Sequence, residues 1–333
     1  MSEQSLSAVE AELYDRQIRL WGIESQEKLR AANVLLINCR GLGCEIAKNI
    51  LLSGINSLTV LDDSLVTEEE QIKNFFLTKE SIGKKLAEAI LPKAQSLNPL
   101  VKITADCENP VEKNANFFEA FTIIITTGIK TDLVLKLDKI CRINKVKLIS
   151  GDVFGMFGFS VADFLNHEYY EDRVQMLPKK RTQDGSVKTT IQVKGQIDYP
   201  ELNKVLIFPN TKQSIDAIKK SNRRNGLFFL MLTLLEFRNE NGRNPQISTK
   251  TDDIEKLKII KKSIVGLYKI STSIFEDSLF EQSFGEVVPV CAILGGVIAQ
   301  EVIKAVSHKE ITINNIFLLD PVTFNGKEEC VGA

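Results

Sequence analysis

Six residues, Asn38-Cys39-Arg40-Gly41-Leu42-Gly43, follow the apolar run Val34-Leu35-Leu36-Ile37 and precede a helical pattern over 45–52. A glycine-bearing turn between a strand and a helix is where an α/β sheet usually binds phosphate. The glycines let the backbone close on a pyrophosphate, and the helix N-terminus supplies positive field. Asp62 ends the next apolar run, Leu58-Thr59-Val60-Leu61, where a carboxylate can meet a ribose or simply cap a turn. The loop is damaged for that chemistry. The side chains of Asn38 and Arg40 would crowd a phosphate, leaving Gly41 and Gly43 as the permissive positions. Arg40 could bind a phosphate itself, but it is bulky where backbone amides should point. Upstream lies Tyr14-Asp15-Arg16-Gln17-Ile18-Arg19-Leu20-Trp21-Gly22. The Arg16 guanidinium is always charged and forms paired hydrogen bonds. Taken alone, it reads as half of a surface ion pair with Asp15 or Glu12.

The elements that position these residues follow from periodicity. Residues 7–32 carry Val9, Leu13, Ile18, Leu20 and Leu29 at helical spacing, which predicts one or two amphipathic helices. Strands are expected at 34–37, 58–62, 101–104, 122–126 and 146–149, with helices at 45–52, 81–97 and 132–143 between them. That alternation predicts a parallel, doubly wound sheet. The Gly- and Phe-rich stretch 153–164 reads as paired strands. The polar stretch 171–200, with Lys179-Lys180-Arg181 and Asp184-Gly185, reads as a mobile insertion. Helices are expected at 222–237, stopped by Asn241-Gly242, and at 289–305, where Gly295 and Gly296 suit close packing on a sheet.

Composition narrows the function classes. The chain has 333 residues, 44% hydrophobic and 26% charged, ordinary for a globular protein. A net charge of −1 gives no electrostatic case for nucleic acid or a membrane surface. The apolar run 227–235 is far short of a bilayer span, and the polar, acidic start shows no secretory signal. Cys39, Cys44, Cys107, Cys141, Cys291 and Cys330 are scattered without a Cys-x-x-Cys pair. That argues against a zinc site or a disulfide scaffold and suits a reducing compartment. His167 and His308 lack partners at ligand spacing, so no metal is expected in this chain.

The segment Tyr14 to Gly22 and the loop after it resemble the amino-terminal signature of ubiquitin-like-protein activating enzymes and their bacterial relatives MoeB and ThiF. Laid on that family's Gly-x-Gly-Gly-x-Gly loop, Asn38 and Arg40 replace the first two glycines. On its Asn-x-x-Asn-Arg-Gln motif, Ile72 and Lys73 replace the second asparagine and the arginine. Leu86 stands at the second lysine of Gly-Lys-x-Lys, and Ile129 near the magnesium-binding aspartate. Asp62 alone matches. Within the family, Gly151 to Gly155, His167-Glu168, Phe237-Arg238, Gly242-Arg243-Asn244-Pro245, Pro289 to Ala292, Gln300 to Lys304, Asn314-Asn315 and Glu329-Cys330 resemble the smaller subunits of SUMO-activating enzymes.

The resemblance implies an α/β, Rossmann-like adenylation fold of the ThiF/MoeB type, with a mostly parallel sheet flanked by helices. It implies one pseudo-adenylation domain over 1–333. Helices in 1–32 carry the arginine, a nucleotide-binding-like half spans 33–150, and a C-terminal half spans 201–333. Arg16 would act in trans at an ATP held by a larger catalytic subunit. The degenerate site at Asn38, Arg40, Gly41, Gly43, Asp62 and Lys73 would hold no cofactor, with ATP and Mg on the partner. The further partners implied are SUMO and, through the complex, a SUMO-conjugating enzyme. Together with Pro178-Lys179-Lys180-Arg181, the resemblance implies a nuclear location. Two alternatives remain open: an NAD-dependent Rossmann oxidoreductase, permitted by the glycine turn and Asp62, and a self-sufficient MoeB-like adenylyltransferase. The incomplete glycine loop weighs against the first. The missing arginine, aspartate and Cys-x-x-Cys pairs weigh against the second.

Overall fold

The computed structural model describes residues 6–177, 187–206 and 225–332. Its strands are β1 (Asn33–Ile37), β2 (Ser57–Leu61), β3 (Lys102–Asp106), β4 (Ile123–Thr127), β5 (Lys147–Phe154), β6 (Phe157–Asp163), β7 (Asn166–Leu177), β8 (Val187–Asp198), β9 (Ile316–Leu319) and β10 (Gly326–Glu329). Eight of them form one sheet in the order β10-β9-β6-β5-β4-β1-β2-β3. The run from β3 to β5 is parallel, and β6, β9 and β10 add antiparallel. The expected α/β class is the one observed.

Both faces of this sheet are covered, which is why its central strands read as unbroken apolar runs. Val34 and Leu36 face one layer, built on the helices Gly41–Leu52 and Val288–Ser307. Leu35 and Ile37 face the other, built on Thr131–Asn144, Gly226–Asn241 and Lys250–Tyr268. Burying such a side chain fully contributes about 1.5–3 kcal/mol. Gly226–Asn241 is buried from Leu227 through Arg238, so its apolar residues lie all round the helix. It ends at Gly242, whose φ of +69° closes the helix in the left-handed region. The expected start of this helix, 222–224, lies outside the described residues.

Several expectations need correction. Residues 7–32 form three helices, Ala8–Leu13, Asp15–Trp21 and Ile23–Arg30, because Tyr14 and Gly22 (φ +89°) interrupt the pattern. The single helix expected over 81–97 is a 3₁₀ turn at Lys79–Ser81 followed by Leu86–Ala89 and Leu91–Leu97. Gly83 turns with φ +82°, and Pro92 fits only the start of a new helix. The strand expected at 146–149 continues to Phe154 and turns at Gly155 into β6, so the pairing expected within 153–164 is present. Most of the polar stretch 171–200 belongs to a two-stranded ribbon, β7 with β8, in register from Asn166–Asp198 to Leu177–Val187. Residues 178–186 of the insertion expected over 171–200, with the basic run Pro178 to Arg181, lie outside the described residues. Gly295 is required by close packing, but against a helix: a Cβ there would stand 2.7 Å from the Glu45 Cβ. At Gly296 a Cβ would meet open space.

Candidate functional site

The chain leaves β1 for β2 on one side and returns through β4 on the other. The crevice at the C-terminal ends of β1 and β4 is therefore the topological switch point, where such sheets take ligands. A cavity of about 690 Å³ opens there, lined in part by Arg40, Glu70, Asp152, Arg238 and Glu286.

The loop at this crevice is held by its own side chains. Asn38 adopts φ +63°, a conformation asparagine tolerates. Its Nδ2 donates to the Thr127 carbonyl at 3.0 Å, and Thr127 Oγ1 donates to the Asn38 carbonyl at 2.8 Å. A Cβ at Gly43 would collide with that same Asn38 carbonyl, so Gly43 is retained for packing. Asp62 is 1% exposed and fully committed. Its Oδ2 accepts the Cys39 N–H at 2.9 Å, and its Oδ1 accepts the Ser64 N–H and hydroxyl at 3.0 and 2.5 Å. Of the two roles open to Asp62 in the sequence, the structure shows the turn. Asn74 completes the clamp by donating to the Cys39 carbonyl at 2.6 Å.

The helix N-terminus, where a phosphate would sit, receives a carboxylate. The Glu286 carboxylate faces the first turn of that helix, toward Gly41 and Leu42. Its Oε2 lies 3.2 Å from where a Cβ on Gly41 would be. Burial, with Glu70 and Asp152 adding like charge, pushes its carboxyl up to about 7. Burial also raises Glu70, against the pull of Arg40 and Lys73, and one Glu70 oxygen has no partner among the described residues. A phosphate entering here would meet carboxylates.

Ile72 is exposed and Leu86 is in the core. Lys73 pairs with Glu69. Ile129 is buried, offering only its carbonyl, which accepts from Arg238 Nη1 at 2.9 Å. Arg40 is exposed at the start of the helix and makes no capping bond. The site chemistry that sequence reasoning missed comes from afar. Arg238 pairs with Asp152, donates to Asn244 Oδ1 at 2.6 Å and lies over the Phe154 ring. Arg243 grips Asp253 through two bonds of 2.7 and 2.9 Å. Burial would raise Asp253, but Arg243, the Gln246 N–H and Thr249 outweigh it and hold the carboxyl near 2. A charged residue inside an apolar helical run was the available signal for Arg238; Glu286 has no local signature.

Arg16 lies on a different surface. The ion pair expected with Asp15 or Glu12 is not the one formed: Asp15 pairs with Arg19 at 3.0 Å. Arg16 is exposed and has no ion pair or hydrogen bond among the described residues. At 100° per residue it shares the outward face with Leu13 and Leu20, both exposed. Beside this arm a groove of about 480 Å³ runs between Leu20, Trp21, Leu52, Gly296, Ala299 and Ile303.

Comparison with known proteins agrees with this architecture. The ThiF family model matches residues 14–332. The chain is 36% identical to SUMO-activating enzyme subunit 1 of Homo sapiens, covering 98% of this chain and 96% of that protein. The same subunit of Xenopus tropicalis is 36% identical, with 99% and 98% covered, and that of Danio rerio is 33% identical, with 96% and 94% covered. With a family model spanning nearly the whole described chain and a sheet whose switch point carries the matching loop, this protein belongs to the ThiF family.

Proposed function

We propose that the chain is the smaller, non-nucleotide-binding subunit of a heterodimeric SUMO-activating enzyme. Its larger partner holds ATP and Mg. The carboxylate of the SUMO C-terminal glycine attacks the α-phosphate; the new carboxyl–phosphorus bond forms as the bond to pyrophosphate breaks. A thiolate of the partner then attacks the acyl carbon, breaking its bond to the phosphate oxygen and releasing AMP, and the SUMO thioester so formed passes to a cysteine of a conjugating enzyme by thiol exchange. This chain contributes Arg16, whose guanidinium neutralises phosphate charge as attack proceeds. The reading extends to nuclear residence, supported by the basic run at 178–181.

One observation carries the proposal: the chain's own phosphate position is taken by Glu286, while Arg16 stands exposed without a partner among the described residues. The relatives' shared name supports it, and so does the groove at the other side of the arm, where Leu20, Trp21, Leu52 and Ile303 leave a surface suited to a partner. The oxidoreductase reading loses its ribose acceptor, because Asp62 is spent on Cys39 and Ser64. The test is SUMO-dependent ATP–pyrophosphate exchange by the assembled heterodimer carrying Arg16→Ala. Exchange should fall by about a hundredfold or more, the scale of losing one transition-state donor, while 1:1 assembly persists. Arg16→Lys should recover little, because it keeps the charge without the planar fork. A normally assembled Arg16→Ala complex that exchanges at the wild-type rate defeats the mechanism.

A further inference from the structure

The helix Gly41–Leu52 is used at both ends, and its C-terminal end faces the arm that carries Arg16. Three amide side chains satisfy three successive carbonyls there. Asn98 Nδ2 donates to Leu51 at 2.8 Å, Gln17 Nε2 to Leu52 at 2.8 Å, and Gln26 Nε2 to Ser53 at 2.8 Å. Each amide is tied to the arm. Gln17 belongs to the Asp15–Trp21 helix itself. Gln26 Oε1 accepts the Trp21 indole N–H at 3.1 Å. The second Asn98 Nδ2 hydrogen goes to Tyr14 Oη at 2.9 Å, and its Oδ1 accepts the Leu100 N–H at 3.1 Å, so the capacity of this buried amide is spent. The Tyr14 ring lies against Gly54, where the backbone has φ +79° and a Cβ would stand 2.5 Å from the ring.

The spacing makes this a lock. Tyr14, Gln17 and Trp21 recur at intervals of three and four and share one helical face. Arg16 lies on the other side, roughly 130° round from their mean direction at 100° per residue. Terminal carbonyls of a helix need outside donors, so binding all three through the arm fixes its rotation and height against the sheet. We propose that Gln17, Gln26 and the Asn98–Tyr14 pair are positioning residues that aim Arg16 outward by docking its helix on the carbonyl end of Gly41–Leu52. The inference rests on the trans-acting role of Arg16 proposed above. It assigns a task to residues that touch neither ATP nor SUMO.

The test is a double-mutant cycle in the assembled heterodimer, with 1:1 stoichiometry checked by sedimentation before kinetics. Gln17→Met keeps the length and loses the donor. Tyr14→Phe keeps the ring against Gly54 and loses only the acceptor for Asn98. Each should lower the kcat of SUMO-dependent ATP–pyrophosphate exchange by on the order of tenfold, since small misplacements of a reacting group cost that much or more. The KM for ATP should change far less. In the Arg16→Ala background neither should cost anything further. If Gln17→Met does not assemble, Tyr14→Phe carries the test alone. Equal losses with and without Arg16 mark a general structural role and overturn the inference, as does wild-type exchange by both variants beside an impaired Arg16→Ala complex. An Arg16→Ala complex with normal exchange removes the underlying reading itself, and the inference with it.

Discussion

Two charged regions of this molecule have opposite characters. In the crevice at the ends of β1 and β4, Asp152 pairs with Arg238, Lys73 with Glu69 and Arg243 with Asp253, and Asp62 accepts backbone N–H groups; one Glu70 oxygen is the exception, with no partner among the described residues. On the arm, Arg16 stands exposed beside apolar Leu13 and Leu20, with no partner among the described residues. Charges that are paired with one another leave less for a ligand, because their hydrogen-bonding groups are already in use. An exposed guanidinium on an apolar surface does nothing for its own chain. On the function proposed above, the working charge is the one whose bonding is left incomplete.

That comparison can be broken most severely at Arg238. Arg238→Ala leaves Asp152 buried without its cation, and breaking such a pair typically costs about 3–5 kcal/mol. Denaturant unfolding should show a midpoint far below wild type, whereas Arg16→Ala should unfold as wild type does. Similar stability for both variants would mean that the crevice is not the self-supporting network described. A smaller effect is expected at Glu286, with a definite sign. Its folded-state pKa of about 7 lies above the ordinary value of 4.5. The ionised group therefore costs stability above pH 7, and the cost fades on acidification between 7 and 4.5. Glu286→Gln, which keeps the shape without the charge, should be more stable than wild type by about 3 kcal/mol at pH 8 and nearly equal to it at pH 4.5. Parallel pH–stability curves for the two proteins would contradict the seating of Glu286 in the crevice. The smallest expected signal is calorimetric: titration of the isolated chain with Mg-ATP should give no one-site isotherm, and micromolar binding would show the crevice to be open after all.

The fold was legible where burial is two-sided. Val34 to Ile37 and Leu58 to Leu61 announce themselves because helices cover both faces of the sheet. Segments decided by turn geometry were less legible. The break between 81 and 97 depends on Gly83 and Pro92, and β8 was hidden in a polar stretch because a two-stranded ribbon needs no apolar face toward the main core. At the site, the losses at Asn38, Arg40, Ile72 and Ile129 could be read residue by residue. What replaced the lost chemistry could not. Glu286 is over two hundred residues from Gly41 in the chain, and their proximity is a product of tertiary packing. Asp62 shows the limit from the other side: its position matched a ribose-binding acid, and only the structure shows both oxygens occupied.

The carboxylate facing Gly41 and Leu42 also bears on how this chain can evolve. Restoring a glycine at Arg40 would expose a helix end that Glu286 still covers. Removing Glu286 would leave Asp62 tied to Cys39 and an isoleucine where a metal ligand is needed. No single reversal restores a usable pocket, so selection has no first step to reward. On the function proposed above, the filled helix end would act as a ratchet, holding the subunit to a partner for nucleotide chemistry.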